Sequence, residues 1–367
     1  MTILHLVANR WWTGSADPVI RLVRGLEQRG HRVLLGLVAG DRFEAKAREA
    51  GIVPVAGLGL DVRSGPARVL RDVARIRRLV RDEGVTVVHA HHSHDHWLGA
   101  LGRGRAALVR TFHNRRAVRR DPPSRALYRR TDAAIAVSGA IAARCREVGI
   151  APERIVRVDG IVDTARFAGA SGGERLRAEL GLGAGPVVGS VARLAAGRGH
   201  ELLIGAFARL LADRPRARLV LAGKGEARPA LEALVTGRGL GGQVVFAGYR
   251  DEDLPAMLDA LDVFALMGAG SDESCRAALE AMAAGRPVVA PRIGALADAV
   301  EHGVTGLLVD EPREEAVAAA LASLLDDLPR ARQMGGAARA RALERFAPEH
   351  QATAMEAVYQ AARSRHP

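Results

Sequence analysis

The strongest constraint on the fold is a repeated order: a short apolar run, a turn, a helix-patterned stretch, then another apolar run. Residues 3–8 form the first run and 11–15 the turn. Residues 18–29 carry apolar side chains at helical spacing, Gly30 stops them, and residues 31–38 form the second run. Two runs joined through a helix lie parallel, because a crossover of this length brings the chain back in the same direction. Comparable runs recur at 85–89, 108–112, 133–137, 186–192, 218–222, 243–249, 262–266 and 288–290. The class is therefore α/β with parallel sheets. Ligands of such sheets gather beyond the carboxyl ends of the strands, so residues directly after each run are the first candidates for function. Gly14, after the first run, lets a backbone N–H approach a ligand there.

A chain of 367 residues suits two domains. Aromatics are only 4%, so the cores must be built from Ala, Val and Leu. Two cysteines, Cys145 and Cys275, make no disulfide framework or zinc spacing and point to a reducing compartment. The first residues read as a strand rather than a signal peptide. No apolar run approaches the ~20 residues needed to cross a bilayer. A cytoplasmic chain, soluble or peripheral on a membrane, is expected.

Charge is unevenly placed. Residues 1–165 hold 29 Lys and Arg against 16 Asp and Glu, a net +13, whereas the rest of the chain is close to neutral. Such an excess either attracts phosphate-rich or acidic partners or is merely solvated. Residues 66–83 place Val69, Leu70, Val73, Ile76, Leu79 and Val80 at helical spacing with arginines opposite. They read as a packing helix or, more sharply, as a membrane-surface helix. Arg115, Arg116, Arg119 and Arg120 crowd a second basic segment. Nucleic acid is not expected as a partner, because no recognition motif or aromatic stacking series accompanies the charge.

Residues 271–291 carry the densest chemistry. Ser274 suits an N-cap, residues 275–284 favour helix, Gly285 and Pro287 stop it, and Val288, Val289 and Ala290 read as a buried strand. Asp272 precedes the helix and Glu280 projects from it. A helix N-terminus favours phosphate, and carboxylates accept hydrogen bonds from sugar hydroxyls. Glu280 is equally placed to pair with Arg276 at i,i+4.

This stretch resembles the retaining glycosyltransferases of family 4 (glycosyl transferases group 1), whose signature is Glu-x7-Glu followed by Ala-Met-Ala-x-Gly-x-Pro-Val-Val. The resemblance covers nearly the whole chain in family order. Residues 190–199 are similar to the Gly-Arg-Leu-x-x-x-Lys-Gly motif, with Arg193 matching and Arg198 in place of lysine. Gly223 opens a Gly-x-Gly turn, and residues 294–309 resemble the family's closing motif. The histidine after Thr-Phe is matched by His113.

The resemblance implies the GT-B fold: two Rossmann-like domains with parallel sheets facing across a cleft. Residues 1–167 would be the acceptor domain, 168–185 a linker and 186–346 the nucleotide-sugar domain, with a helix at 351–362 packing back on the first. It implies transfer of a sugar from a nucleotide sugar to an acceptor glycan or glycolipid, of the lipopolysaccharide-core type, with retention and without a metal or other cofactor. Arg193 and Arg198 would neutralise the diphosphate, Glu280 hold the ribose and Asp272 the sugar hydroxyls, with Gly14, Gly223, Ser274 and Cys275 lining the donor. His113 would assist beneath the sugar. The histidines between His89 and His96 form no zinc spacing. The family's Phe-Gly is Ser274-Cys275 here and its first carboxylate is the shorter Asp272, so a non-catalytic sugar-nucleotide-binding relative is a competing reading. An epimerase of related fold is a third.

Overall fold

The computed structural model of the chain describes residues 1–9, 16–61, 63, 65–268 and 275–365. Gly14, Asp272 and Ser274 lie outside the described residues. Two compact units divide the chain. One is Met1–Gly160 with Pro348–Pro367; the other is Ile161–Ser271 with Cys275–Ala347.

The first unit alternates strand and helix. It runs β1 (Thr2–Val7), α1 (Ala16–Gln28), β2 (Arg32–Leu37), α2 (Arg42–Glu49), α3 (Pro66–Asp82) and β3 (Val87–Ala90). It continues α4 (Ser93–Gly102), β4 (Ala107–Phe112), α5 (Pro122–Arg129), β5 (Ala133–Ala136), α6 (Gly139–Glu147) and β6 (Ile155–Arg157). The strands form one parallel sheet in the order β2-β1-β3-β4-β5-β6, so the strand order reverses between β1 and β3.

The second unit opens with α7 (Thr164–Phe167) and α8 (Gly173–Glu179). Then come β7 (Val187–Val191), α9 (His200–Leu211), β8 (Arg218–Ala222), α10 (Arg228–Gly237), β9 (Val244–Gly248), α11 (Leu254–Asp259) and β10 (Val263–Ala265). It closes with α12 (Arg276–Ala283), β11 (Val288–Pro291), α13 (Gly294–Ala299), β12 (Gly306–Val309), α14 (Glu314–Leu325) and α15 (Leu328–Arg345). Its parallel sheet has the order β12-β11-β10-β7-β8-β9 and reverses between β10 and β7. The last helix, α16 (Pro348–Arg363), packs on the first unit against α1, β4 and β5.

Both sheets are covered on both faces, which is why their strands are apolar almost throughout. In the first unit Ile3, Val87, Val109 and Ile135 lie beneath Leu22 and Leu26 of α1 and Met355, Val358 and Tyr359 of α16. On the other face Leu4, Leu6, Val88 and Leu108 meet Val73, Ile76 and Leu79 of α3 and Leu98 of α4. Among the described residues no helix is long and apolar enough to cross a membrane.

Two details differ from the sequence reading. Residues 168–185 form no free linker. Leu176 and Leu182 are buried with Phe167, Met257 and Leu258, and the division falls after Gly160. The glycine that suggested looseness serves close packing: a Cβ on Gly173 would lie 2.6 Å from the Asp259 backbone carbon. The inward face of α3 also departs from a purely apolar stripe. Asp72 is buried and accepts hydrogen bonds from the Gly59 and Leu60 N–H groups at 2.8 and 3.0 Å, while Leu70 is 70% exposed.

Candidate active site

On the α16-facing side of the first sheet, three neighbouring strands turn from apolar to polar as they approach their carboxyl ends. Ile3 gives way to His5, Val87 to His89 and then His91, and Val109 to Thr111 and then His113, each at the two-residue period that keeps a side chain on one face. A cluster of imidazoles follows. His5 Nδ1 lies 3.1 Å from His91 Nε2, and His91 Nδ1 lies 3.4 Å from His113 Nε2. Tyr359 of α16 places its hydroxyl 2.8 Å from His89 Nδ1 and 3.4 Å from His5 Nε2, and His89 Nε2 lies 2.7 Å from the Thr111 hydroxyl. His5, His89 and His91 are fully or almost fully buried, while His113 at the strand end is half-buried.

Burial, helped by the neighbouring rings and by Arg110, keeps these rings neutral. It pushes the His5 and His113 pKa values down to about 3 and those of His89 and His91 well below the ordinary 6.5. Ring nitrogens of His5, His89 and His91 lie within 4.8 Å of one another, a spacing that invites a metal. All six of those nitrogens already sit in hydrogen bonds, and the His89 and His91 rings stack at 4.2 Å.

The opposite face of the same edge holds a buried ion pair that the sequence reading passed over. Arg110 of β4 and Asp95 of α4 are almost wholly buried, 3.8 Å apart, with the guanidinium 5.1 Å from the centre of the Phe112 ring. Desolvation lowers Arg110 to about 10 and raises Asp95 to about 6. Asp95 also accepts from the N–H groups of Ala8, His91 and His92 at 3.0, 3.3 and 2.7 Å, tying the ends of β1 and β3 together. A charged residue inside an otherwise apolar strand was the available signal.

His113 leads into the basic segment. Arg119 pairs with Asp121 at 2.8 Å and Arg120 with Glu147 at 2.9 Å, both on the surface, while Arg115 and Arg116 lie in the single 3-10 turn after Asn114.

The second unit builds its edge differently, from backbone. Arg193 and Arg198 lie on the loop after β7, and Gly223 follows β8. The loops are joined by hydrogen bonds from Leu194 N–H to the Lys224 carbonyl at 3.1 Å and from Ala227 N–H to the Leu194 carbonyl at 2.9 Å. A Cβ on Gly223, at φ +153°, would lie 1.9 Å from the Ala192 carbonyl oxygen, and one on Gly225 would lie 2.1 Å from that of Leu194. Only glycine fits at either place. Arg193 extends into solvent, paired with Glu226 at 2.9 Å, and its carbonyl meets His200 Nε2 at 3.1 Å. Arg198 immediately precedes Gly199, at the N-terminus of α9.

The structure corrects the cap of α12. The helix begins at Arg276, and Cys275 rather than Ser274 occupies the N-cap position, in the left-handed region at φ +52° and with no side-chain cap. That conformation is strained for a residue with a Cβ and easy for glycine, the residue the resembled motif carries there. Glu280 is 6% exposed and accepts from Arg276 Nε at 2.7 Å, the i,i+4 pairing its spacing allowed. The structure thus gathers Arg193, Arg198 and Gly223 on adjoining loops and sets Cys275 and Glu280 on the helix that follows β10, the neighbour of β7. His113 stands in the other unit.

Two parallel sheets of this order are the architecture of the GT-B fold. Anabaena HepE, solved with UDP and glucose, has the same fold at a TM-score of 0.84, 24% identity and coverage of 98% of this chain and 100% of its own. The profile described as glycosyl transferases group 1 matches residues 174–341, and that described as glycosyltransferase family 4 matches residues 13–166. The GDP-mannose-dependent alpha-(1-6)-phosphatidylinositol monomannoside mannosyltransferase of Mycobacterium tuberculosis is 31% identical over 323 residues, 82% of this chain and 81% of the relative. The enzyme of the same name from Mycolicibacterium smegmatis is 38% identical over 193 residues, half of each chain. The chain belongs to the family 4, group 1 glycosyltransferases.

Proposed function

We propose that the protein transfers a hexosyl unit, with retention of anomeric configuration, from a nucleotide sugar to a hydroxyl of an anionic lipid-linked acceptor used in building the cell envelope. The observation that carries this reading is the likeness over four-fifths of the chain to a mannosyltransferase named for a phosphatidylinositol-linked acceptor. The charge distribution agrees with it. Residues 1–165 carry a net +13, and α3 exposes Arg68, Arg71, Arg78 and Arg81 as well as Leu70. An arginine-rich helix with an exposed apolar side chain suits the interface of an anionic bilayer, where each cation near the surface contributes ~1 kcal/mol. The proposed place of work is the inner face of the cytoplasmic membrane.

In this reading Arg193 and Arg198 take the negative charge that develops on the departing diphosphate, and Gly223, packed against the Ala192 carbonyl, holds the loop after β8 beside the one that carries both arginines. Glu280 holds the ribose, Asp272 the donor hydroxyls, and Gly14, Ser274 and Cys275 line the same donor. A neutral His113 meets a sugar hydroxyl. The arginines supply the charge stabilisation, and no metal is required.

The test is incubation with a panel of nucleotide sugars and anionic glycolipids, read by mass spectrometry, beside sedimentation with vesicles. A hexose-sized mass gain on the anionic lipid is expected, as is salt-sensitive binding to anionic but not zwitterionic vesicles. Binding is expected to weaken when Arg115, Arg116, Arg119 and Arg120 become glutamine. Equal binding to both vesicle types, or transfer only to a neutral soluble acceptor, would reject the lipid assignment.

A further inference from the structure

We infer that Thr111, His89, Tyr359, His5 and His91 form a one-directional hydrogen-bond chain that fixes the tautomer of His113, leaving its Nε2 as an acceptor and its Nδ1 as the N–H donor at the open end. Direction is set at the far end. The Thr111 hydroxyl is buried, and its one hydrogen-bond partner among the described residues is His89 Nε2. Its proton is satisfied only by donating there, since a buried donor left without an acceptor is disfavoured.

Each neutral imidazole has one N–H, so the direction propagates. His89 Nε2 accepts, which places the proton on Nδ1, donated to the Tyr359 oxygen at 2.8 Å. The Tyr359 O–H then donates to His5 Nε2 at 3.4 Å, His5 Nδ1–H to His91 Nε2 at 3.1 Å, and His91 Nδ1–H to His113 Nε2 at 3.4 Å. Burial keeps the four imidazoles neutral, as the one-proton count requires. The reverse order would need an acceptor for the Thr111 hydroxyl, which none of the described residues provides.

The chain gives the C-terminal helix a part in the chemistry. Tyr359 lies 270 residues from His89 in sequence and touches no substrate; with His5, His89 and His91 it is a positioning residue acting through His113. Resting on the reading that His113 meets the sugar, this makes the ring a donor toward a hydroxyl oxygen or a departing phosphate oxygen, whereas a bare ring nitrogen could only accept from the hydroxyl and would repel the phosphate.

Two-bond proton–nitrogen correlation spectra of protein labelled with ¹⁵N-histidine report which nitrogen of each ring is protonated. The His113 signals are identified by their loss in His113→Asn. In the unaltered protein His113 should carry its proton on Nδ1. Tyr359→Phe and Thr111→Val keep the packing shape and remove one link each. In either variant His113 should become a mixture of tautomers, and kcat should fall about tenfold with the donor KM nearly unchanged, the loss expected of a misplaced proton rather than of a lost binding contact. Protonation on Nε2 in the unaltered protein, or pure Nδ1–H in both variants, would overturn the inference. So would one zinc ion held by His5, His89 and His91, because each ring nitrogen serves a single partner. The unaltered protein alone decides the tautomer if a variant fails to fold. The spectra need no turnover, so absence of sugar transfer would count against the proposed function and leave the chain of bonds standing.

Discussion

The two carboxyl edges are made of opposite materials. In the first unit the edge is built from side chains: neutral histidines in a bonded series on one face, and the Arg110–Asp95 pair on the other. In the second it is built from backbone, with Gly223 and Gly225 drawn against the carbonyls of Ala192 and Leu194 and the charged groups reaching outward. Buried side chains hold a proton at a stated atom; glycines drawn against carbonyls hold two loops together. The proposed function gives the first edge the orienting of a reacting group and the second the admission of a diphosphate.

Acid should break the comparison most strongly. Seven histidines of the first unit, His5, His89, His91, His92, His94, His96 and His113, have pKa values lowered by burial. In the second unit His200 alone, among the described histidines, is lowered in this way. Below pH 6.5 the unfolded chain gains protons that these rings refuse in the folded state, so stability is complete above 6.5 and is lost as pH falls. Each such group adds up to ~1.4 kcal/mol per pH unit to the slope, so together they make the loss steep. Asp95, raised to about 6, works the other way between pH 6 and 4, one proton against seven. The lowered carboxylates Glu226, Glu314 and Asp326 of the second unit give way only in more acid solution. Calorimetry near pH 5 should resolve two transitions, the earlier one reporting the first unit. A single coincident transition would remove the contrast.

Gly223→Ala attacks the other edge. With a carbonyl oxygen 1.9 Å from the new Cβ, the substitution should cost about 3 kcal/mol or more, lower the second transition and abolish donor binding. The histidine resonances of the first unit should be unmoved. Normal donor affinity in calorimetry would show that the loops yield easily.

A crossed pair of variants sharpens the division of labour. His113→Ala should lower turnover ~10²-fold, about 2.7 kcal/mol, with donor affinity close to that of the unaltered protein. Arg198→Ala should instead remove most of the thermal stabilisation that a nucleoside diphosphate confers. If each variant produced the other's effect, orientation and admission would have been assigned to the wrong edges.

Ten of the twelve described strands were legible in sequence to within a residue or two, because a sheet covered on both faces demands continuous apolar runs and Gly285 and Pro287 leave no choice of helix end; the short edge strands β6 and β12 were read only as parts of motifs. Arg193, Arg198 and Gly223 were legible only through the resembled motifs; that their loops adjoin follows from the pairing of β7 with β8. What stayed hidden depends on long-range partners. Tyr359 reads as one more inward residue of an alanine-rich helix until α16 is laid over β3. Cys275 looks like the first residue of a helix, since a propensity argument does not see a backbone held at φ +52° by its surroundings. Arg110 gave a signal, a charge amid Leu, Val and Phe, whose partner lies on a different element.

The bond between Tyr359 and His89 also constrains biosynthesis. The first sheet is complete once β6 has been made, yet its histidine-bearing face acquires Tyr359 only 270 residues after His89. Counted from Arg157, the end of β6 and 202 residues before Tyr359, the wait at synthesis rates of ~5–20 residues per second is roughly 10–40 s. Through it the emerging chain carries a sheet whose apolar strip of Val87, Val109 and Ile135 lacks the cover of Met355, Val358 and Tyr359. The second unit can close independently in the meantime. The first closes only when the returning helix arrives, which makes it the younger of the two in folding order although it is the elder in sequence.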